Sequence, residues 1–334
     1  TSKSTSTGTA TATATSTNWQ AGNMNQQVEA VDIFRDMSET DRARVKSALD
    51  ETTMHDPHER VAGGLGQPQQ WVTKKKILTL RDEVWLNDEV ITYYLLVLEA
   101  RNKAAIAGSA TATSEVVERM MAVDGHPPKC FIFNPFFYSL LTGEGYNYAR
   151  VKRVTSQKKV DIFQYDKVLV PLNVGKQHWC LAVIHMDEKR LGYYDSFGSD
   201  NAMCLQALVS YLQDEAQTNN HPFTPQEWTT CFPKKIPRQY NEVDCGVFIL
   251  MYADHVARGA QLDFTEADMP FFRRKITLDI LNGSGILNGG KSDDSDDSDD
   301  DLSLLELEKK HKAKLARKQS SKATRTRTRR RKKN

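Results

Sequence analysis

Cys245 opens an apolar stretch, Asp244-Cys245-Gly246-Val247-Phe248, and Gln239 lies six positions before it. Two further fragments carry polar side chains suited to chemistry, Gln177-His178-Trp179 and Tyr194-Asp195-Ser196. A thiol ionises near pH 8.5 in water, so only a few per cent is the nucleophilic thiolate at neutral pH. Placing Cys245 in the first turn of a helix would favour its thiolate through free backbone N–H groups and the positive end of the helix dipole. Asp244 opposes this, because an adjacent carboxylate disfavours a second negative charge, and an imidazolium at His178 is the evident compensating cation. Asp195 would orient that ring and favour its charged form. Gln239 can donate its amide N–H to an oxyanion without titrating, alongside the backbone N–H of Cys245.

Each residue alone has a plainer explanation. A histidine at a strand start is commonly structural, an aspartate at a strand end commonly forms a turn, and a cysteine in an apolar helix is commonly inert. Only the four together point to thiol-based acyl transfer.

The elements that would position them are legible in outline. Asn87 caps a helix with an apolar stripe of Val90, Ile91, Tyr94, Leu95 and Leu98. Residues 131–133 read as a short strand, and Asn134-Pro135 as the start of a helix. The runs 167–172 and 179–185 suit buried strands, with Asp187-Glu188-Lys189-Arg190 turning into a third strand over 191–195. Residues 202–215 form an amphipathic helix and 228–232 a further strand. A helix from Asp244 should stop at Gly259, and Thr265-Glu266-Ala267-Asp268 resembles a capping box for a last helix ending near Leu281.

The segments Trp85-Leu86-Asn87-Asp88-Glu89, Gln177-His178-Trp179, Asp195-Ser196, and Gln239 ahead of Asp244-Cys245-Gly246 resemble the SUMO/sentrin-specific protease family from about Trp71 to Leu281. The resemblance implies an α+β, papain-like cysteine protease fold in rearranged chain order, with a central mixed sheet flanked by helices. It implies a substrate ending in Gly-Gly, with Cys245 as nucleophile, His178 as general base and acid, Asp195 as orienting acid and Gln239 in the oxyanion hole. Trp179 and Trp85 would wall the slot for the diglycine tail, although core packing also explains a tryptophan. Asp88 would face the body of the modifier, and as the first residue of a helix it also has a local electrostatic reason for its place. Deconjugation of SUMO from lysines and precursor trimming are the implied activities, with no metal or organic cofactor. A protease for another ubiquitin-like modifier, a silent modifier-binding module and a nucleic-acid-binding protein led by its tail are the competing readings.

Composition frames this expectation. The five cysteines include no C-x-x-C pair, so their spacing suggests neither a disulfide framework nor a zinc site, and a reduced compartment, cytosol or nucleus, follows. No apolar run approaches a membrane span. Fourteen of the 45 basic residues lie within 309–333, leaving 31 against 43 acidic residues elsewhere, so a mildly acidic body carries a basic tail. That tail reads as a nuclear-localisation or nucleic-acid patch, with an import receptor or nucleic acid as partner and the nucleus as location.

Residues 1–17, rich in Thr, Ser and Ala, lack the apolar content to order. A weak helical pattern follows over 28–49, with Ser38-Glu39-Thr40-Asp41 as a helix start. The glycine- and proline-rich stretch 56–70 is the expected boundary before a catalytic domain over 71–285, with a largely disordered tail over 286–334. Within that tail an acidic run over 293–301 precedes Leu302-Ser303-Leu304-Leu305. It resembles a SUMO-interacting motif, but a helix over 302–317 with Glu306 and Lys310 paired is the preferred reading.

Overall fold

A computed structural model describes residues 37–66, 69–107 and 127–283. In chain order the helices are α1 (Glu39–Leu49), α2 (Lys74–Ile77), α3 (Asp88–Ile106), α4 (Phe137–Thr142), α5 (Lys152–Gln157), α6 (Ala202–Thr218), α7 (Cys245–Arg258) and α8 (Met269–Asn282). The strands are β1 (Arg60–Leu65), β2 (Gln70–Thr73), β3 (Cys130–Ile132), β4 (Lys167–Val174), β5 (His178–His185), β6 (Arg190–Tyr194) and β7 (Thr229–Cys231).

Strands β3 to β7 form one mixed sheet in sequence order. The central pairs β4–β5 and β5–β6 are antiparallel, and the outer pairs β3–β4 and β6–β7 are parallel. Val168 to Leu172 and Trp179 to His185 are buried at every position, as befits central strands covered on both faces. On one face Val170, Cys180, Ala182 and Ile184 pack with Leu140 of α4, Val154 of α5 and Leu208 of α6. On the other, α7 packs against β5 and α3. This is the expected α+β arrangement of a mixed sheet flanked by helices.

Local chemistry fixes the helix ends. Asn87 Oδ1 accepts from Val90 N at 2.7 Å, capping α3. Gly259, in the left-handed region at φ 69°, ends α7. The Thr265–Asp268 capping box is present and leads through one 3₁₀ turn into α8. Ser38 caps α1 by accepting from Asp41 N at 3.1 Å.

Two expectations need correction. Residues 56–70 are not a boundary loop, since β1 and the start of β2 form an antiparallel hairpin there. The glycines serve this hairpin: a Cβ on Gly63 would fall 1.8 Å from the Trp71 ring, and Gly64 and Gly66 have φ of 88° and 80°. Lys74, next to the hairpin, donates to the carbonyls of Ser47 and Ala48 at 2.7 and 2.9 Å, capping the end of α1. The folded unit therefore includes α1 rather than beginning at Trp71. At Asn134-Pro135 the side chain of Asn134 accepts from Phe136 N at 2.9 Å and forms a turn, and α4 begins only at Phe137. The expectations for 1–17, the apolar positions Val28 to Phe34, the acidic-leucine segment and the basic tail lie outside the described residues. Among the described residues no helix is long and apolar enough to cross a membrane.

Candidate active site

Cys245 is the first residue of α7 and is buried. Its backbone N–H has no intrahelical acceptor at that position, and the helix dipole presents its positive end there. Gly246 lets this end come close to the preceding α3 entry, since a Cβ would meet Leu86 Cβ at 3.0 Å. Asp244 is buried beside the thiol, and its Oδ1 accepts from Arg273 Nε and Nη2 at 2.9 and 2.6 Å. Its Oδ2 accepts from Asn241 Nδ2 at 2.7 Å. Arg273, itself buried on α8, also donates to the carbonyls of Thr79 and Arg81 at 3.1 and 2.8 Å. One guanidinium thus neutralises Asp244 and ties α8 to the loop that carries Trp85.

His178 and Asp195 meet because β5 begins where β6 ends. The register pairs Leu181 with Tyr194, so continuing it by one step sets Cys180 opposite Asp195 and His178 on the diagonal, on the same strand face as Cys180. His178 Nε2 lies 2.7 Å from Asp195 Oδ1. That oxygen also accepts from Phe197 N at 2.8 Å, and Arg238 Nη1 donates to the Asp195 carbonyl at 2.9 Å. The Phe197 ring lies tilted against the imidazole, with centroids 4.6 Å apart and planes at 31°. Burial works against charge on the Asp195 carboxyl, but the imidazole and two backbone N–H groups hold it below the usual carboxylate range. Burial likewise disfavours imidazolium, yet Asp195, with smaller help from the Cys180 and Cys245 thiols, pushes His178 up to about 12. Nδ1 of the ring is buried and makes no hydrogen bond, which leaves it as the nitrogen able to exchange a proton with a neighbouring thiol.

Gln239 is buried and fixed at both ends of its amide. Ser196 Oγ donates to its Oε1 at 2.8 Å, and its Nε2 donates to the Asn241 carbonyl at 2.7 Å. The Asn241 carbonyl can only accept, so its bond settles which end is the nitrogen, and the second N–H of that amide remains for another acceptor. Glu266 holds the intervening loop by accepting from Tyr240 N and Asn241 N at 2.7 and 2.8 Å.

The structure pairs His178 with Asp195, leaves the Cys245 thiol near enough to help raise the imidazole, and sets Gln239 in the loop leading to Cys245. Trp179 is 6% exposed, whereas Trp85 is 50% exposed. Asp88 is the first residue of α3, capped by Asn87. Sequence reasoning overlooked Arg273, Ser196, Phe197 and Arg238. Ser196 alone left a signal, since it stands in the quoted Asp195-Ser196 pair.

A thiol at a helix N-terminus, a histidine–carboxylate pair from adjacent strands and a fixed amide donor make a site equipped for thiol-dependent acyl transfer. The chain belongs to the Ulp1 protease family, whose C-terminal catalytic-domain model matches residues 110–283. It is 37% identical over 212 residues to a sentrin-specific protease of Caenorhabditis elegans, covering 63% of this chain and 27% of that protein. It is 37% identical over 214 residues to sentrin-specific protease 2 of Homo sapiens, covering 63% and 32%. The chain thus spans about a third of the length of these curated relatives. Among solved structures, the SUMO protease Ulp1 with its catalytic cysteine oxidised to a sulfinic acid matches with a TM-score of 0.57 at 26% identity, covering 74% of this chain and 96% of that one. The C-terminal Ulp1 protease domain in complex with Smt3, the yeast ortholog of SUMO, matches with the same TM-score and coverage. The fold is that of the Ulp1 catalytic domain.

Proposed function

We propose that this chain is a cysteine isopeptidase and endopeptidase that cleaves after the C-terminal Gly-Gly of SUMO, with Cys245, His178, Asp195 and Gln239 as its catalytic groups. The observation that carries this reading is the 2.7 Å contact of His178 Nε2 with Asp195, in a ring that also senses the Cys245 thiol at the head of α7. The names of the relatives and the solved complex with Smt3 support the choice of modifier.

The thiolate of Cys245 attacks the terminal glycine carbonyl, and the new oxyanion is met by the Cys245 N–H and the free N–H of Gln239. The carbon–nitrogen bond breaks as the His178 imidazolium passes its proton to the leaving lysine amine. His178 then takes a proton from water, which adds to the thioester and releases the modifier with a free carboxylate. Trp85 and Trp179 flank the diglycine in this account, since a backbone without side chains fits between flat rings. Asp88 lies with Trp85 on the entry to α3, where it can meet the body of the modifier. The basic tail, by its charge alone, directs the enzyme to the nucleus through an import receptor.

Hydrolysis of a panel of ubiquitin-like modifiers bearing fluorogenic C-terminal amides tests the reading. SUMO should be cleaved fastest, by at least about a hundredfold in kcat/KM, or about 2.7 kcal/mol. Faster cleavage of another modifier would reassign the substrate and leave the chemistry standing.

A further inference from the structure

We propose that His178, Cys180 and Asp195 form a site for a thiophilic divalent cation such as Zn²⁺, whose occupancy switches off hydrolysis. One donor atom from each of these residues lies within 4.8 Å of the other two. This cluster follows from the sheet. Cys180 faces Asp195 across β5 and β6 by continuation of the register, and His178, two residues before Cys180, projects from the same strand face. No local spacing in the sequence announces such a site, because its donors belong to two strands.

The donor set of imidazole nitrogen, thiolate sulfur and carboxylate oxygen is one that zinc accepts. Zinc bonds of about 2.0–2.3 Å in tetrahedral geometry require donors roughly 3.3–3.7 Å apart. Small side-chain rotations therefore suffice, closing the longer separations and opening the 2.7 Å His178–Asp195 contact. Cys180 and Asp195 are buried, and the His178 side chain, 19% exposed, offers the route of entry. Three protein donors leave a fourth position for water.

Binding breaks the Cys180 S–H bond, forms a zinc–sulfur bond and releases the proton to solvent. The metal also takes the lone pair of an imidazole nitrogen and the carboxylate that orients the ring. The base and its orienting acid are thereby removed from proton transfer while the nucleophile itself stays intact. The inhibitory consequence rests on the proposed catalytic reading. Metal binding does not.

The test uses the full chain with free Zn²⁺ set by a chelator buffer, and Co²⁺ as a spectroscopic probe. Measured against its own metal-free rate, Cys180→Ser should raise the zinc inhibition constant by at least about tenfold, since even loss of a ligand's own hydrogen-bond partner costs about 10–100-fold in affinity. Cys245→Ser should still bind one equivalent of Co²⁺ with a thiolate-to-cobalt charge-transfer band, and Cys245→Ser combined with Cys180→Ala should lose that band. Unchanged zinc sensitivity in Cys180→Ser would overturn the proposal, since the metal would then rest on Cys245 and His178. Absence of the band in Cys245→Ser would overturn it independently of any activity. Binding with the band but without inhibition would instead count against the catalytic roles of His178 and Asp195.

Discussion

Arg273 grips Asp244 through Nε and Nη2, at 2.9 and 2.6 Å on one carboxylate oxygen, so the negative charge beside Cys245 is matched from within the protein. From the sequence alone, His178 is the evident source of that compensation. With Arg273 in place, the imidazole is left free to serve the thiol. Removing one partner of a buried pair costs about 3–5 kcal/mol, because the other charge stays buried alone. Arg273→Met should therefore lower stability by that order and slow alkylation of Cys245. Combining it with Asp244→Asn should restore much of the stability. Urea unfolding of the two single variants and the double variant measures the coupling, and additive losses would show that the pair is not a unit.

The His178–Asp195 pair predicts a definite pH window. Asp195 is held below its unfolded value, so its contribution is present above about pH 4 and fades as pH falls through the folded value. His178 is raised to about 12, so its contribution is full below about pH 6.5 and declines as pH rises toward the folded value. The stability difference between the natural chain and Asp195→Asn should be greatest between about pH 4 and 6.5 and shrink on either side. Denaturation at a series of pH values checks this, and a difference that widens from pH 7 to 9 would reverse the assigned direction.

Gln239 is aimed by Ser196. Loss of one oxyanion donor costs about 10²–10³ in kcat, and Gln239→Ala should fall in that range. Ser196→Ala keeps the donor but frees the amide to turn, so it should reduce kcat less, with KM nearly unchanged. Steady-state kinetics distinguishes these outcomes. A rise in KM with constant kcat would place both residues in ground-state binding instead.

What could be read from the chain follows the range of the interactions involved. The α7 start, its stop at Gly259 and the β5–β6 hairpin rest on neighbours within a few residues, and the structure has them as expected. Arg273 lies 29 positions from Asp244, and Arg238 lies 43 from Asp195. No periodicity signals such partners. Phe197 packs against His178 from a turn that reads simply as a strand end. The hairpin over 60–73 was hidden by its glycines, which read as loop formers although Gly63 is needed for Trp71 to cross the strand.

The two tryptophans should separate in experiment. Trp85, half exposed, should lose kcat/KM on replacement by Ala with little change in stability. Trp179 is buried, so Trp179→Ala should lose more than about tenfold in kcat/KM and also about 3–5 kcal/mol of stability. Both should relax discrimination against a modifier ending in Gly-Ala. An unchanged Gly-Gly preference in both variants would place the steric sieve elsewhere.

The central claim is that Cys245, among five cysteines, is the nucleophile. Its most direct test is covalent capture with a SUMO whose C-terminal glycine carries a thiol-reactive electrophile, followed by peptide mass spectrometry. The account predicts a single adduct on Cys245, lost in Cys245→Ser together with all hydrolysis, while SUMO binding persists. An adduct on Cys180 or Cys231, or substantial turnover by Cys245→Ser, would contradict it.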